Sequence, residues 1–112
     1  MTYVFDIDGT ICMKSEEEND YDQAVPIKER IDKVNKLYND GNTIIYLTAR
    51  GMGRHKNNKG AAIIDFYDTT AKQLKEWGAQ YHKLFLGKPA GDIYIDDKGI
   101  NDGDFFKDDI CP

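Results

Sequence analysis

Apolar, β-favouring residues are grouped in this chain into short runs, and each run stops at a residue able to do chemistry. Tyr3-Val4-Phe5 leads into Asp6 and Asp8, Thr43-Ile44-Ile45-Tyr46-Leu47 into Thr48, Lys83-Leu84-Phe85-Leu86 into Gly87-Lys88, and Ile93-Tyr94-Ile95 into Asp96-Asp97. Runs of this length and composition predict strands, and the near-continuous second one predicts a strand covered on both faces of a parallel sheet. After Pro26, the residues Ile27, Ile31, Val34 and Leu37 recur near the helical period. They predict an amphipathic helix over 26–39, stopped by Asn39-Asp40-Gly41. A second helix is predicted from Asp68 or Thr70, with Gln73 completing a capping box and Ala71, Leu74 and Trp77 or Gly78 forming its apolar face. Residues 61–67 read equally well as helix or as irregular chain. The order strand, helix, strand, helix, strand, strand predicts an α/β domain with a parallel sheet and right-handed crossovers.

Two stretches have no such period. Residues 11–25 carry Ser15, Glu16-Glu17-Glu18, Asn19, Asp20 and Asp22 and predict a polar flap beside the tip of the first strand. Residues 50–60 hold Arg50, Arg54, His55, Lys56 and Lys59 among glycines and asparagines and predict a basic loop leaving the second strand. The tail 98–112 is polar apart from Phe105-Phe106, which are expected to dock it on the body.

With 112 residues the chain is read as one domain, 1–112, too small for a second lobe. Its formal net charge of −5 speaks against a broad nucleic-acid-binding face. It leaves room for an anionic small substrate, because a divalent cation would reverse the local sign. No run is apolar enough for a membrane span and no secretory leader is visible, so a cytoplasmic protein is expected. Cys12 and Cys111 then read as free thiols, and His55 and His82 as surface residues.

In a parallel sheet all four strand ends lie on one edge, where ligands of open α/β sheets bind. Asp6/Asp8, Thr48, Lys88 and Asp96/Asp97 would meet there, an inventory suited to phosphoryl transfer. One carboxylate can attack phosphorus, and a second can protonate the leaving oxygen and then activate water. A hydroxyl and an ammonium can hold the phosphate oxygens, and carboxylates can share Mg2+ with it.

Asp6-Ile7-Asp8-Gly9-Thr10 resembles the nucleophile motif of the haloacid dehalogenase superfamily of phosphohydrolases. Thr48 is similar to its second motif, Lys88 in Gly87-Lys88-Pro89 to its third, and Ile95-Asp96-Asp97 to its acidic fourth. The resemblance implies a Rossmann-like three-layer sandwich with sheet order 4-1-2-3 and no cap domain. It makes Asp6 nucleophile and Mg2+ ligand, Asp8 general acid/base and carbonyl ligand, Thr48 and Lys88 phosphate binders, and Asp96, with Asp97 through water, the remaining metal ligands. Asn101 and Asp102 are outer-shell candidates. Gly9, Thr10 and Ala49 flank these positions and are expected at the substrate, while Arg50, Arg54, Lys56 and Lys59 are expected to bind its non-reacting anionic part.

A finer resemblance, carried by Leu47-Thr48-Ala49-Arg50-Gly51-Met52, Lys59-Gly60, Trp77 and Tyr94-Ile95-Asp96-Asp97, is to small capless capsule biosynthesis phosphatases. It implies a sugar phosphate or similar anion from surface-polysaccharide synthesis. The open site would be roofed by the flap, the basic loop or a second subunit. The alternatives are a phospho-acceptor signalling domain, which holds its phosphate, and a catalytically inactive subunit. Asp8, two residues past the nucleophile, favours hydrolysis over the first, and the full set of motif residues counts against the second.

Overall fold

The structure, a computed structural model, describes residues 1–15 and 20–110, the last three by backbone alone. In chain order the elements are β1 (Thr2–Phe5), β2 (Cys12–Met13), β3 (Val25–Pro26), α1 (Lys28–Asn39), β4 (Thr43–Thr48), α2 (Lys59–Glu76), β5 (Lys83–Leu86) and α3 (Asp102–Ile110). β1, β4 and β5 form a parallel sheet in that order, which is the 1-2-3 part of the expected arrangement.

The register explains where the core lies. Tyr3 is opposite Ile44, Phe5 opposite Tyr46, Tyr46 opposite Leu84 and Thr48 opposite Leu86. Alternation along each strand therefore puts these side chains on one face. That face packs on Ile31 and Val34 of α1, Phe66 and Leu74 of α2, and Phe106 of α3. Phe106 is fully buried with its ring 6.2 Å from that of Phe5. Burying a side chain of this size contributes about 2–3 kcal/mol. The tail is thus docked as expected, by a helix.

Three expectations are corrected. First, the three-layer sandwich is not seen: among the described residues the sheet has its helices on one face. Both crossovers step in the same direction, so right-handedness puts α1 and α2 on the same side, and α3 lies there against α1. The opposite face carries Val4 and Phe85, 58% and 46% exposed, with half-buried Ile45 and Leu47 between them.

Second, Ile93-Tyr94-Ile95 is not a strand, and β1 is at the edge of the sheet, not its centre. The Tyr94 hydroxyl donates to the Pro89 carbonyl at 2.6 Å and accepts from the Gly91 N–H at 2.9 Å. Its ring centroid lies 4.4 Å from Lys88 Nζ. These contacts fold the segment back at the tip of β5.

Third, α2 starts at Lys59, so 61–67 is helical. Asn58 is its cap, accepting from the Ala61 N–H at 3.1 Å. Thr70 and Gln73, expected to start the helix, are buried in its interior. At the first helix the shift is small: Pro26 lies in β3, paired with Cys12, and α1 begins two residues later.

The flap is a two-stranded ribbon, β2 with β3, carrying a short 3-10 turn over Tyr21–Gln23. Glu16-Glu17-Glu18 and Cys111 lie outside the described residues. Among those described, no helix is long and apolar enough to cross a membrane.

Candidate active site

Parallel pairing of β1 with β4 and β5 brings three of the four strand ends together. Asp6 leaves β1 directly, Thr48 is the last residue of β4, and Lys88 follows β5 by two residues. The Lys88 N–H donates to the Thr48 carbonyl at 3.2 Å, which ties the β5 tip to the β4 tip. Lys88 Nζ then lies 3.7 Å from Asp6 Oδ2. Asp6, Asp8, Thr48, Ala49, Arg50 and Lys88 all line one cleft of about 340 Å³. A larger, shallower depression between Tyr38, Ala71 and Tyr81 has no carboxylate or thiol in its wall. The chemistry lies in the smaller one.

Asp8 and Arg50 form the most constrained contact in the cleft. Arg50 Nε donates to Asp8 Oδ2 at 2.9 Å and Nη2 to Oδ1 at 3.0 Å, a bidentate fork. The guanidinium is held from behind: Nη1 donates to Thr70 Oγ1 at 3.3 Å, and the group sits 4.7 Å from the centroid of the Tyr21 ring. Its side chain is 1% exposed. Tyr21 is itself fixed, its hydroxyl accepting from the Gly51 N–H at 3.2 Å and its carbonyl from Gln73 Nε2 at 2.8 Å. Gly51 has φ +79°, and a Cβ there would fall 2.5 Å from the Phe66 ring. Only glycine gives this turn its approach to α2.

Burial pushes the Asp6 carboxyl above its ordinary pKa, with Lys88 and the Ile7 backbone N–H opposing and Asp8 adding to the rise. Asp6 is thus a partly desolvated carboxylate facing a cation, the setting of an activated nucleophile. Cys12 is buried, its Sγ donating to the Ile7 carbonyl at 3.6 Å and to Asp8 Oδ1 at 3.5 Å. Burial first, and the negative Asp8 second, push its thiol up to about 12. It is a structural donor to Asp8, not a nucleophile.

Other expected site residues lie elsewhere. Gly9, at φ +82°, turns the chain with its N–H on the Cys12 carbonyl at 2.9 Å, and the Thr10 carbonyl accepts from Arg30 at 3.0 Å. Both shape the turn below the cleft. Arg50 is in the cleft, but its donors face Asp8 and Thr70. Arg54 pairs with Asp65 at 3.3 Å, as does His55 at 3.0 Å. Lys56 is exposed at φ +52°, and the Lys59 stem packs under Gly87. None of these last three basic residues lines the cleft. The sequence reading missed Lys14, Tyr21 and Tyr94, which do line it. Lys14 could have been found by its place six residues past Asp8, but Tyr21 and Tyr94 carry no such signal.

Asp96 and Asp97 are exposed and outside the cleft. Asp96 Oδ1 accepts from the Lys98 and Gly99 N–H groups at 2.5 and 2.6 Å, and these bonds hold its carboxyl below the usual range. Asp102, an outer-shell candidate, pairs instead with Arg30 at 2.8 Å. Mg2+ requires an octahedral set of oxygens. The Asp6 carboxylate is a suitable donor; Arg50 engages both carboxylate oxygens of Asp8, whose expected ligand is its backbone carbonyl. No group of three His, Cys, Asp or Glu side chains among the described residues could hold a metal. The expected metal ligands are therefore not gathered: Asp6 lies in the cleft, and Asp96 and Asp97 are in solvent.

No protein-family model matches this chain, and no curated protein does. Two crystal structures share its fold. One is a Vibrio cholerae protein, 25% identical, with a TM-score of 0.84 over 93% of this chain and 85% of that one. The other is the D,D-heptose 1.7-bisphosphate phosphatase from B. bronchiseptica in complex with magnesium and phosphate, 18% identical, with a TM-score of 0.53 over 81% of this chain. This chain spans about half the length of the phosphatase, 51%. The likenesses support an α/β fold with a parallel sheet, shared with both proteins.

Proposed function

We propose that this chain is a phosphohydrolase acting through an aspartyl phosphate on Asp6. One observation carries the reading: Asp6 faces Lys88 at 3.7 Å, beside Thr48, at the carboxyl ends of parallel strands in a cleft sized for a small anion. Asp6 Oδ attacks phosphorus, and the bond from phosphorus to the leaving oxygen breaks. Lys88 and the Thr48 hydroxyl hold the phosphate oxygens as charge redistributes. Asp8 supplies the proton to the leaving oxygen and later takes one from the attacking water, which requires one of its oxygens to be released by Arg50.

The fold likeness to a magnesium- and phosphate-bound phosphatase supports Mg2+ as the cofactor. Its role would be to neutralise phosphate charge beside Asp6. A sugar phosphate is the substrate class suggested by that neighbour's own name, and surface-polysaccharide synthesis by the capsule-type motif around Arg50 and Trp77. The decisive measurement is turnover of an aryl phosphate, followed by a panel of sugar phosphates. Activity lost on chelation and restored by Mg2+ is expected. A phosphoenzyme that forms stoichiometrically and persists would replace the enzyme by a phospho-acceptor switch.

A further inference from the structure

Among the described residues neither the run Ile93-Tyr94-Ile95 nor the outer edge of β1 is paired, and the connection between β5 and that run explains why. Only residues 87–92 separate the two. To lie parallel beside β1 of its own chain, the run would have to start at the far end of the sheet. That point is about 13 Å down and about 14 Å across, or about 20 Å in a straight line through side chains. The steps from Leu86 to Ile93 reach about 25 Å when fully extended. That leaves almost nothing to climb over the sheet face, where a parallel crossover takes about a dozen residues or more. The same shortage leaves that face without a helix.

Three features on the surface match one another. The edge of β1 exposes unpaired backbone groups, which soluble proteins normally cover. Val4 and Phe85 on the bare face are matched by Ile93, Ile95 and Ile100, which are 78%, 92% and 68% exposed in the same chain. Apolar area concentrated in this way marks a binding surface. Finally, the exposed Asp96 and Asp97, which the phosphatase reading expects beside Asp6, sit at the end of the unpaired run.

We propose that two copies of this chain exchange their C-terminal segments. Residues 93–95 of one copy add as a parallel fourth strand to β1 of the other and deliver Asp96 and Asp97 to the other copy's Asp6 and Asp8. Asp97 is five residues from Asp102, so α3 travels with the strand. Its seat, with Asp102 on Arg30 and Phe106 in the core, is filled by the other copy's α3 through the same contacts. Exchange of identical elements is reciprocal about a two-fold axis and costs little in contacts. The second copy is therefore a contributor of ligands to the site, not a roof over it.

The metal-ligand part of this inference rests on the phosphatase reading; the exchange itself does not. Sedimentation equilibrium of the full chain is expected to give twice the chain mass. Inserting about 12 Gly/Ser residues between Asp92 and Ile93 gives the strand the length to reach its own β1, and is expected to convert the dimer to a monomer. A mixed refolding then locates the acids. Asp6→Asn and the double variant Asp96→Asn/Asp97→Asn are each inactive alone, yet refolded together they regain about a quarter of wild-type turnover, from one intact site in half of the dimers. A monomeric wild type, an insertion variant that stays dimeric, or dimeric parents whose mixture stays dead would each overturn the exchange. If the wild type turns over no phosphate ester, the phosphatase reading fails, while the two masses still decide the exchange.

Discussion

The two acid pairs of this chain look alike in sequence and end in opposite physical situations. Asp6 and Asp8 close a run that has a partner, since Thr2–Phe5 pairs over its whole length with residues 43–46 of β4 and turns Phe5 into the core. Asp96 and Asp97 close a run with similar β propensity and no partner in reach. The carboxylates follow suit: Asp8 is satisfied by a buried Arg50 from 42 residues away, Asp96 by its own neighbours Lys98 and Gly99. Propensity makes a strand possible, but the length of the crossover decides whether it reaches the sheet. The first pair is built in by tertiary structure, and the second is held by a local turn until something else supplies the strand.

The largest contrast should appear at Asp6. Asp6→Asn removes the attacking oxygen, and turnover of an aryl phosphate is expected to fall by about a thousandfold or more, while circular dichroism stays unchanged. Turnover near wild type would remove Asp6 from the chemistry and leave the two pairs functionally equal.

Next in size is the support under Asp8. Arg50→Met leaves a partly buried carboxylate without its fork and is expected to cost about 3–5 kcal/mol in urea unfolding. Arg50→Lys should recover little, because an ammonium cannot donate to both Asp8 oxygens and Thr70 at once. A loss below about 1 kcal/mol would mean the fork behaves like a surface ion pair, and that the first acid pair is no better embedded than the second.

Much of this arrangement was legible before the structure. The three runs ending in Asp6, Thr48 and Lys88 are strands in a parallel sheet because each is followed or preceded by a helix long enough to cross over. The amphipathic period of α1 was visible for the same reason. Thr70 misled as a helix cap because its hydroxyl has a different use, on Arg50, that depends on residues distant in sequence. Arg50 itself was read as a substrate binder, since nothing local shows that a cation after β4 will meet an acid after β1. The fourth strand was misplaced because alternation and β propensity say nothing about reach.

A smaller effect should separate the pairs by pH. The Asp6 pKa is raised chiefly by burial and is opposed by Lys88. As nucleophile Asp6 must be ionised, so kcat/KM should rise with pH along an acid limb above the ordinary carboxylate range. In Lys88→Met that limb moves further up. The same shift has a stability sign: the folded state holds the Asp6 proton more tightly than the unfolded chain. Stability therefore falls as pH climbs from the ordinary value through the raised one, and is lower above it. Asp6→Asn should lack that slope, which pH-dependent melting would show.

The smallest effect is expected at Asp96. In Asp96→Ala the local turn to Lys98 and Gly99 is lost, but no core group is exposed and no buried partner is left without a bond. Substitutions at fully exposed positions of this kind have little effect on stability. Urea unfolding of Asp96→Ala should therefore match the wild type, in contrast to Arg50→Met. If Asp96→Ala instead unfolded at clearly lower urea than the wild type without added metal, the carboxylate would have a buried partner in solution. The contrast between a built-in acid pair and a waiting one would then be lost.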